Sequence, residues 1–226
     1  MFKQLKIRAY LRTGVISDQY LPLDAVLYYH AVRAMLGEQI VTKPNESSIR
    51  EGIGVRLPLK KGGGKDEKWY YNCSFAQWPI NVVENSSFKV KQSDWLRHSD
   101  YYNEKKKIEI KRGKHKPAHI KLYYRHAEYV DWYCIGDPFQ IAELLKFCTN
   151  LGKNSGDGWG EVLKWEIKDW SEDWSVKDGS GKLTRAVPVM NEQSILNKGG
   201  RLPSTFYGIR PSYWNDRHIF RCFMSK

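Results

Sequence analysis

Cysteine is scarce in this 226-residue sequence, with four residues at positions 73, 134, 148 and 222. No two of them form a Cys-x-x-Cys pair, and none has a histidine at ligand spacing. A structural zinc site and a disulfide framework are therefore not expected. Cys148 falls on the apolar face of a predicted helix, where a small buried thiol is the usual occupant. Long apolar runs are missing, so no segment is expected to span a bilayer. Met1 to Arg12 alternates charge with apolar residues and lacks the unbroken core of a signal peptide, which leads to an expected cytosolic address. Internal repeats are missing too. Acidic residues are outnumbered, with 25 Asp and Glu against 37 Lys and Arg, a formal net charge of +12. Nine Trp and fourteen Tyr argue against a disordered chain, so the excess charge belongs to a folded surface. Such a surface concentrates polyanions, and nucleic acid is the leading candidate partner.

What is present reads as alternating strands and helices. Leu5, Ile7, Ala9 and Leu11 alternate with Lys6, Arg8, Tyr10 and Arg12, the period of a strand buried on one face. Its basic face could meet RNA or water. Leu21-Pro22-Leu23-Asp24 opens a predicted helix that ends at Gly37, with Asp24 as a cap and His30 at the core edge. Residues 42–50 and the glycine-rich stretch 60–67 read as loops, 69–76 as a strand and 80–83 as another. Glu128 to Ile135 is a further strand. Asp137, Pro138 and Gln140 then start a helix whose apolar stripe runs through Ile141, Leu144, Leu145, Cys148 and Leu151 to a stop at Gly152. Val162 to Ile167 is the next strand, and 169–183 and 190–204 read as exposed loops. This order suits an α+β, ferredoxin-like (RRM-like) antiparallel sheet, one domain over residues 1–226.

The charge is concentrated. Residues 88–125 hold twelve Lys or Arg and four acids, an excess of eight. Residues 106–111 and 118–123 both alternate, joined by Arg112-Gly113-Lys114-His115-Lys116-Pro117, which predicts a β-hairpin with a basic tip inserted at about 88–126. So many like charges at one tip repel each other, which favours an anionic partner.

Gly152-Lys153-Asn154-Ser155-Gly156-Asp157-Gly158-Trp159-Gly160 places four glycines and a lysine where backbone N–H groups could approach phosphate. It is not a P-loop: it lacks Gly-Lys-Ser/Thr, and it leaves a helix to enter a strand. A dinucleotide fingerprint fails for the same reason. The loop is similar to the glycine-rich signature of the RAMP superfamily of CRISPR proteins. With Leu21-Pro22-Leu23-Asp24, Gly136-Asp137 and Arg210-Pro211-Ser212-Tyr213-Trp214 in order, the chain resembles the Cas-five-type (Csf-three type) subunits of type IV CRISPR effector complexes.

That resemblance implies a subunit that grips the 5′ repeat-derived handle of the guide RNA. It would abut the first backbone subunit and lie near the large subunit, where target DNA enters. It also implies that the hairpin acts as a thumb across the RNA. The candidate RNA-binding residues are Gly152, Lys153, Asn154, Gly156, Gly158, Trp159 and Gly160 in the loop. In the thumb they are Lys105, Lys106, Lys107, Lys111, Arg112, Lys114, His115 and Lys116, with Lys6 and Arg8 on the first strand. Trp159 could stack on a base or plug the core, and Arg210, Tyr213 and Trp214 could close the site or pack the chain end. No cofactor, metal or catalytic residue is expected. The rival is a metal-independent ribonuclease using His115, His119 and His126 with Lys121, Tyr123 and Tyr124. Asp169, Glu172 and Asp173 read as a solvated acidic turn rather than a metal site. A stand-alone RNA-binding protein fits the charge but not the ordered motifs.

Overall fold

The computed structural model describes residues 1–18, 20–37, 54–64, 67–91, 117–189 and 204–224. At its centre lies β1 (Lys3–Leu11), whose Leu5, Ile7, Ala9 and Leu11 all point inward and are buried. It is flanked antiparallel by β6 (Tyr129–Gly136) and β7 (Val162–Asp169), giving the order β6-β1-β7. Among the described residues, two helices cover the inner face. These are α1 (Leu23–Leu36), which buries Leu23, Val26, Leu27 and His30, and α2 (Pro138–Leu145), which buries Ile141 and Leu145. Two indoles fix the helices to the sheet: Trp132 Nε1 donates to the Leu21 carbonyl and Trp165 Nε1 to the Cys148 carbonyl, both at 2.9 Å. Truncating a fully buried residue such as Ile7 to Ala is worth about 2–5 kcal/mol.

The segment after β2 (Lys61–Gly63) and β3 (Trp69–Tyr71) runs along the outside of β6. The Ser74 N–H donates to the Tyr133 carbonyl at 2.8 Å, and Gln77 and Asp131 exchange two backbone bonds of 2.8 and 3.1 Å. With this irregular fourth line the sheet is consistent with a ferredoxin-like arrangement. β4 (Val83–Lys91) and β5 (Ala118–His126) form a separate two-stranded antiparallel ribbon. A third sheet, in the order β8-β10-β9, comprises β8 (Val187–Pro188), β9 (Ser204–Gly208) and β10 (Ile219–Phe223). It has its own apolar cluster of Tyr70, Phe75, Ala186, Ile209, Cys222 and Met224.

Several sequence expectations are corrected. Asp24 is not a cap; Pro22 holds that position, and Asp24 is fully buried in the first turn. Tyr213 donates to its Oδ1 at 2.6 Å, and Arg185, itself buried, stands 3.9 Å from Oδ2. Burial drives the Asp24 carboxyl upward, while Arg185 and Tyr213 pull it back. Asp137 does cap α2, accepting from the N–H groups of Phe139 and Gln140 at 3.1 Å each. That helix, however, stops at Leu145 rather than Leu151. The chain leaves it so that Thr149 and Leu151 can pair with Val162 and Gly160, while Cys148 and Leu151 stay buried. Lys61–Gly63 is a short strand and not a loop, because it pairs with Trp69–Tyr71. The 169–183 connection is only partly exposed: Trp170, Trp174 and Tyr133 pack ring to ring at 4.9–5.4 Å, and Ser175 and Leu183 are buried.

Candidate nucleic-acid interface

The glycine loop is held by the segment that follows β1. Gly160 N–H donates to the Gly14 carbonyl at 2.8 Å and Lys153 N–H to the Ile16 carbonyl at 2.7 Å. Thr13 Oγ1 donates to the Gly158 carbonyl at 2.9 Å. Gly152 and Gly160 have φ of +79° and +70°, and a Cβ at either would be driven into a neighbouring carbonyl, of Ile16 and Leu151 respectively. Only glycine fits there. Asn154, at φ 61°, also takes the left-handed conformation. A Cβ at Gly156 or Gly158 would meet nothing within 4 Å, so this part of the backbone faces open space. Gly158 also takes a positive φ, +85°, so three of the four loop glycines shape the turn, while Gly156 and Gly158 leave it bare.

The same post-β1 segment carries the ribbon on its other edge, where Val15 and Arg125 exchange two backbone bonds of 2.8 and 3.0 Å. The ribbon and the glycine loop then meet side chain to side chain. Tyr124 packs against Trp159 with ring centroids 4.7 Å apart, and Lys89 pairs with Asp157. Trp159 is half-buried in this contact, so it joins loop to ribbon rather than plugging the central core. A groove of about 470 Å³ opens at the ribbon's foot, lined by Ser17, Glu84, Asn85, Ser86, Tyr123, Tyr124 and Arg125.

The pairing register sorts the ribbon's faces, since side chains alternate along a strand. Phe88 lies opposite Lys121, Ser86 opposite Tyr123, and Val90 opposite His119, all on one face. Phe88 and Tyr123 are 63% and 66% exposed. Lys121 has no acidic partner among the described residues; its ammonium lies 5.0 Å from the Tyr123 ring. Lys153 reaches Asp18 at 3.0 Å, with both side chains exposed. Exposed pairs of this kind are worth little, so a phosphate can replace the carboxylate.

Lys6 and Arg8 are placed differently. Both meet Asp131, Arg8 through two bonds of 2.7 and 2.8 Å and Lys6 at 3.1 Å. The Arg8 guanidinium also lies 3.6 Å from the Tyr129 ring centroid, and its bond to Asp131 raises its pKa further. The expected thumb contacts Lys105, Lys106, Lys107, Lys111, Arg112, Lys114, His115 and Lys116 lie outside the described residues, as does the strand 106–111. The described partner of 118–126 is 83–91, so the ribbon starts at Val83 rather than 88. Arg210 and Tyr213 are turned inward, Arg210 to the Trp69 carbonyl at 3.1 Å and Tyr213 to Asp24. They pack the chain end.

Of the groups considered for catalysis, His115 lies outside the described residues, and the two described histidines do not converge. His119 and His126 sit seven positions apart on one strand, hence on opposite faces and roughly 23 Å apart. Each acid of the 169–173 turn has its own partner: Asp169 takes Lys3, Glu172 the Trp174 indole, and Asp173 the Ser175 backbone and hydroxyl. Among the described residues no group of three or more His, Cys, Asp or Glu could hold a metal ion. The four thiols are buried, and burial pushes Cys73 and Cys148 up to about 12. Among the described residues no helix is long and apolar enough to cross a membrane.

Phe88 was not singled out from sequence, and Tyr124 was considered only for the ribonuclease reading. Their signal is an aromatic alternating with basic residues on two strands that pair only once folded. A family model described as CRISPR type IV associated protein Csf3 matches residues 91–224, more than half of the chain. The match takes in β5, β6, α2, the glycine loop, β7 and the third sheet. No curated protein matches the chain.

Proposed function

The chain belongs to the Csf3 family of CRISPR type IV associated proteins, and on that footing we propose that it is the subunit that holds the guide RNA's 5′ handle. One observation carries this reading: the glycine loop and the ribbon foot are joined through residues 13–16 and through Tyr124, Trp159, Lys89 and Asp157 into one surface. That surface offers what an unpaired RNA strand needs. Bare backbone at Gly156 and Gly158 admits a phosphate or sugar closely. Lys153, Lys89 and Lys121 supply cations, and exposed Phe88 and Tyr123 supply faces for bases to stack on. The basic residues 105–116, carried in sequence between the two ribbon strands, add phosphate contacts as a thumb. Lys6 and Arg8 serve the sheet by neutralising Asp131. In the assembled complex the subunit abuts the first backbone subunit and the large subunit, with target DNA nearby. Binding is its role, and the separation of His119 from His126 favours this over strand cleavage.

The test is to purify the protein with its operon partners and sequence the RNA it carries. Short RNAs sharing one repeat-derived 5′ end are the expected result. RNA without a common 5′ end would reduce the protein to a general RNA binder.

A further inference from the structure

A second groove, of about 320 Å³, uses the glycine loop as a wall through Gly152 and Ser155. Its other sides are α1 and the turn after α2. The size suits a small planar ligand. Leu21, Val26 and Leu151 line it with apolar surface, and none of its lining residues is acidic. Two aromatics border it, Tyr29 at 56% and Phe147 at 69% exposed. Arg33, also exposed, has no acidic partner among the described residues. His30 lines it as well and is 7% exposed, yet among the described residues its Nδ1 has no hydrogen-bond partner. A buried polar atom left without a partner costs free energy, and a bound ligand is one way to satisfy it. Burial also lowers the His30 pKa, so at neutral pH the ring is uncharged and can donate or accept at a base edge.

We propose that this groove holds one unpaired nucleotide of the bound RNA, with its base against Tyr29 and Phe147 and its phosphate on Arg33. The proposal rests on the reading of the chain as an RNA-binding subunit. It extends the RNA path along the glycine loop, from the ribbon foot to α1. An apolar floor with aromatic edges takes any base face, and a cation with no acidic partner among the described residues suits a single phosphate.

The experiment uses the full chain and a short fluorescein-labelled single-stranded RNA carrying 5-iodouridine. Tyr29→Ala, Phe147→Ala and Arg33→Gln alter exposed side chains, so the fold is retained. Each aromatic variant is expected to weaken binding roughly tenfold. Photo-cross-links should map to Tyr29 or Phe147 as well as to the ribbon. Suppose the wild type binds, Tyr123→Ala weakens it, and the three groove variants bind normally with no cross-link in the groove. The groove proposal is then overturned while the RNA-binding reading stands. If the wild type binds no RNA, both fall. If the groove variants bind RNA normally but fail to assemble with partner subunits, the groove is a protein-docking site and the proposal is wrong.

Discussion

Strands β1 and β5 alternate cations and aromatics in much the same way, Lys6, Arg8 and Tyr10 on one and His119, Lys121, Tyr123 and Arg125 on the other. On β1 the charges are used internally: Asp131 takes both Lys6 and Arg8, and Tyr129 stacks under the guanidinium. On β5, among the described residues, only Arg125 has an acidic partner, Glu84, while Lys121 and Tyr123 stand out from the ribbon beside Phe88. The difference lies in the neighbouring strand. β6 brings a nearly buried aspartate against β1, whereas β4 brings serine, phenylalanine and valine against the same face of β5. A basic alternating strand is therefore open to an anionic partner only where its pairing strand brings no acid against it.

The largest expected effect tests the β1 side. Asp131→Ala would leave two poorly exposed cations without their counter-ion and should cost about 3 kcal/mol, read by urea denaturation, with RNA affinity retained. Next comes the β5 side. Phe88→Ala with Tyr123→Ala should leave stability within about 0.5 kcal/mol, because both rings are exposed. RNA affinity should fall by about 1–3 kcal/mol per stacked base lost, read by fluorescence anisotropy. A smaller effect concerns His30, another nitrogen group held inside. Burial lowers its folded-state pKa below the usual 6.5, so the unfolded chain takes up the proton first as pH falls. The His30 contribution is complete above about pH 6.5 and is lost as pH drops from there through the folded value, at up to about 1.4 kcal/mol per pH unit. Denaturation across that window should show a shallower slope for His30→Gln. The smallest is Lys121→Gln, which should reduce the dependence of log affinity on log salt by about 0.7, the contribution of one single-strand phosphate contact.

Much of the central fold was legible because its signals are local. The alternation in β1, the Asp137 cap and the Gly37 stop each depend on a few neighbouring residues, and each formed as read. The errors arose where distant contacts decide. α2 ends early because residues 160–162, leading into β7, capture residues 149–151, and Asp24 is buried because Tyr213, 189 residues away, reaches it. The third sheet was missed for the same reason: its strands are short and are defined by pairing with one another. In the site, the glycine loop could be read from spacing, since positive φ demands glycine at 152 and 160. The roles of Phe88 and Tyr124 could not, because the register of β4 on β5 is absent from either segment alone.

The central claim is that RNA is held by the ribbon foot and the glycine loop and not by the basic face of β1. The most direct test is to measure the RNA affinity of Tyr123→Ala beside that of Arg8→Gln at one salt concentration. A loss of roughly tenfold for Tyr123→Ala with wild-type affinity for Arg8→Gln is the predicted result. Loss for Arg8→Gln with an unaffected Tyr123→Ala would place the RNA on the open sheet face and contradict the account.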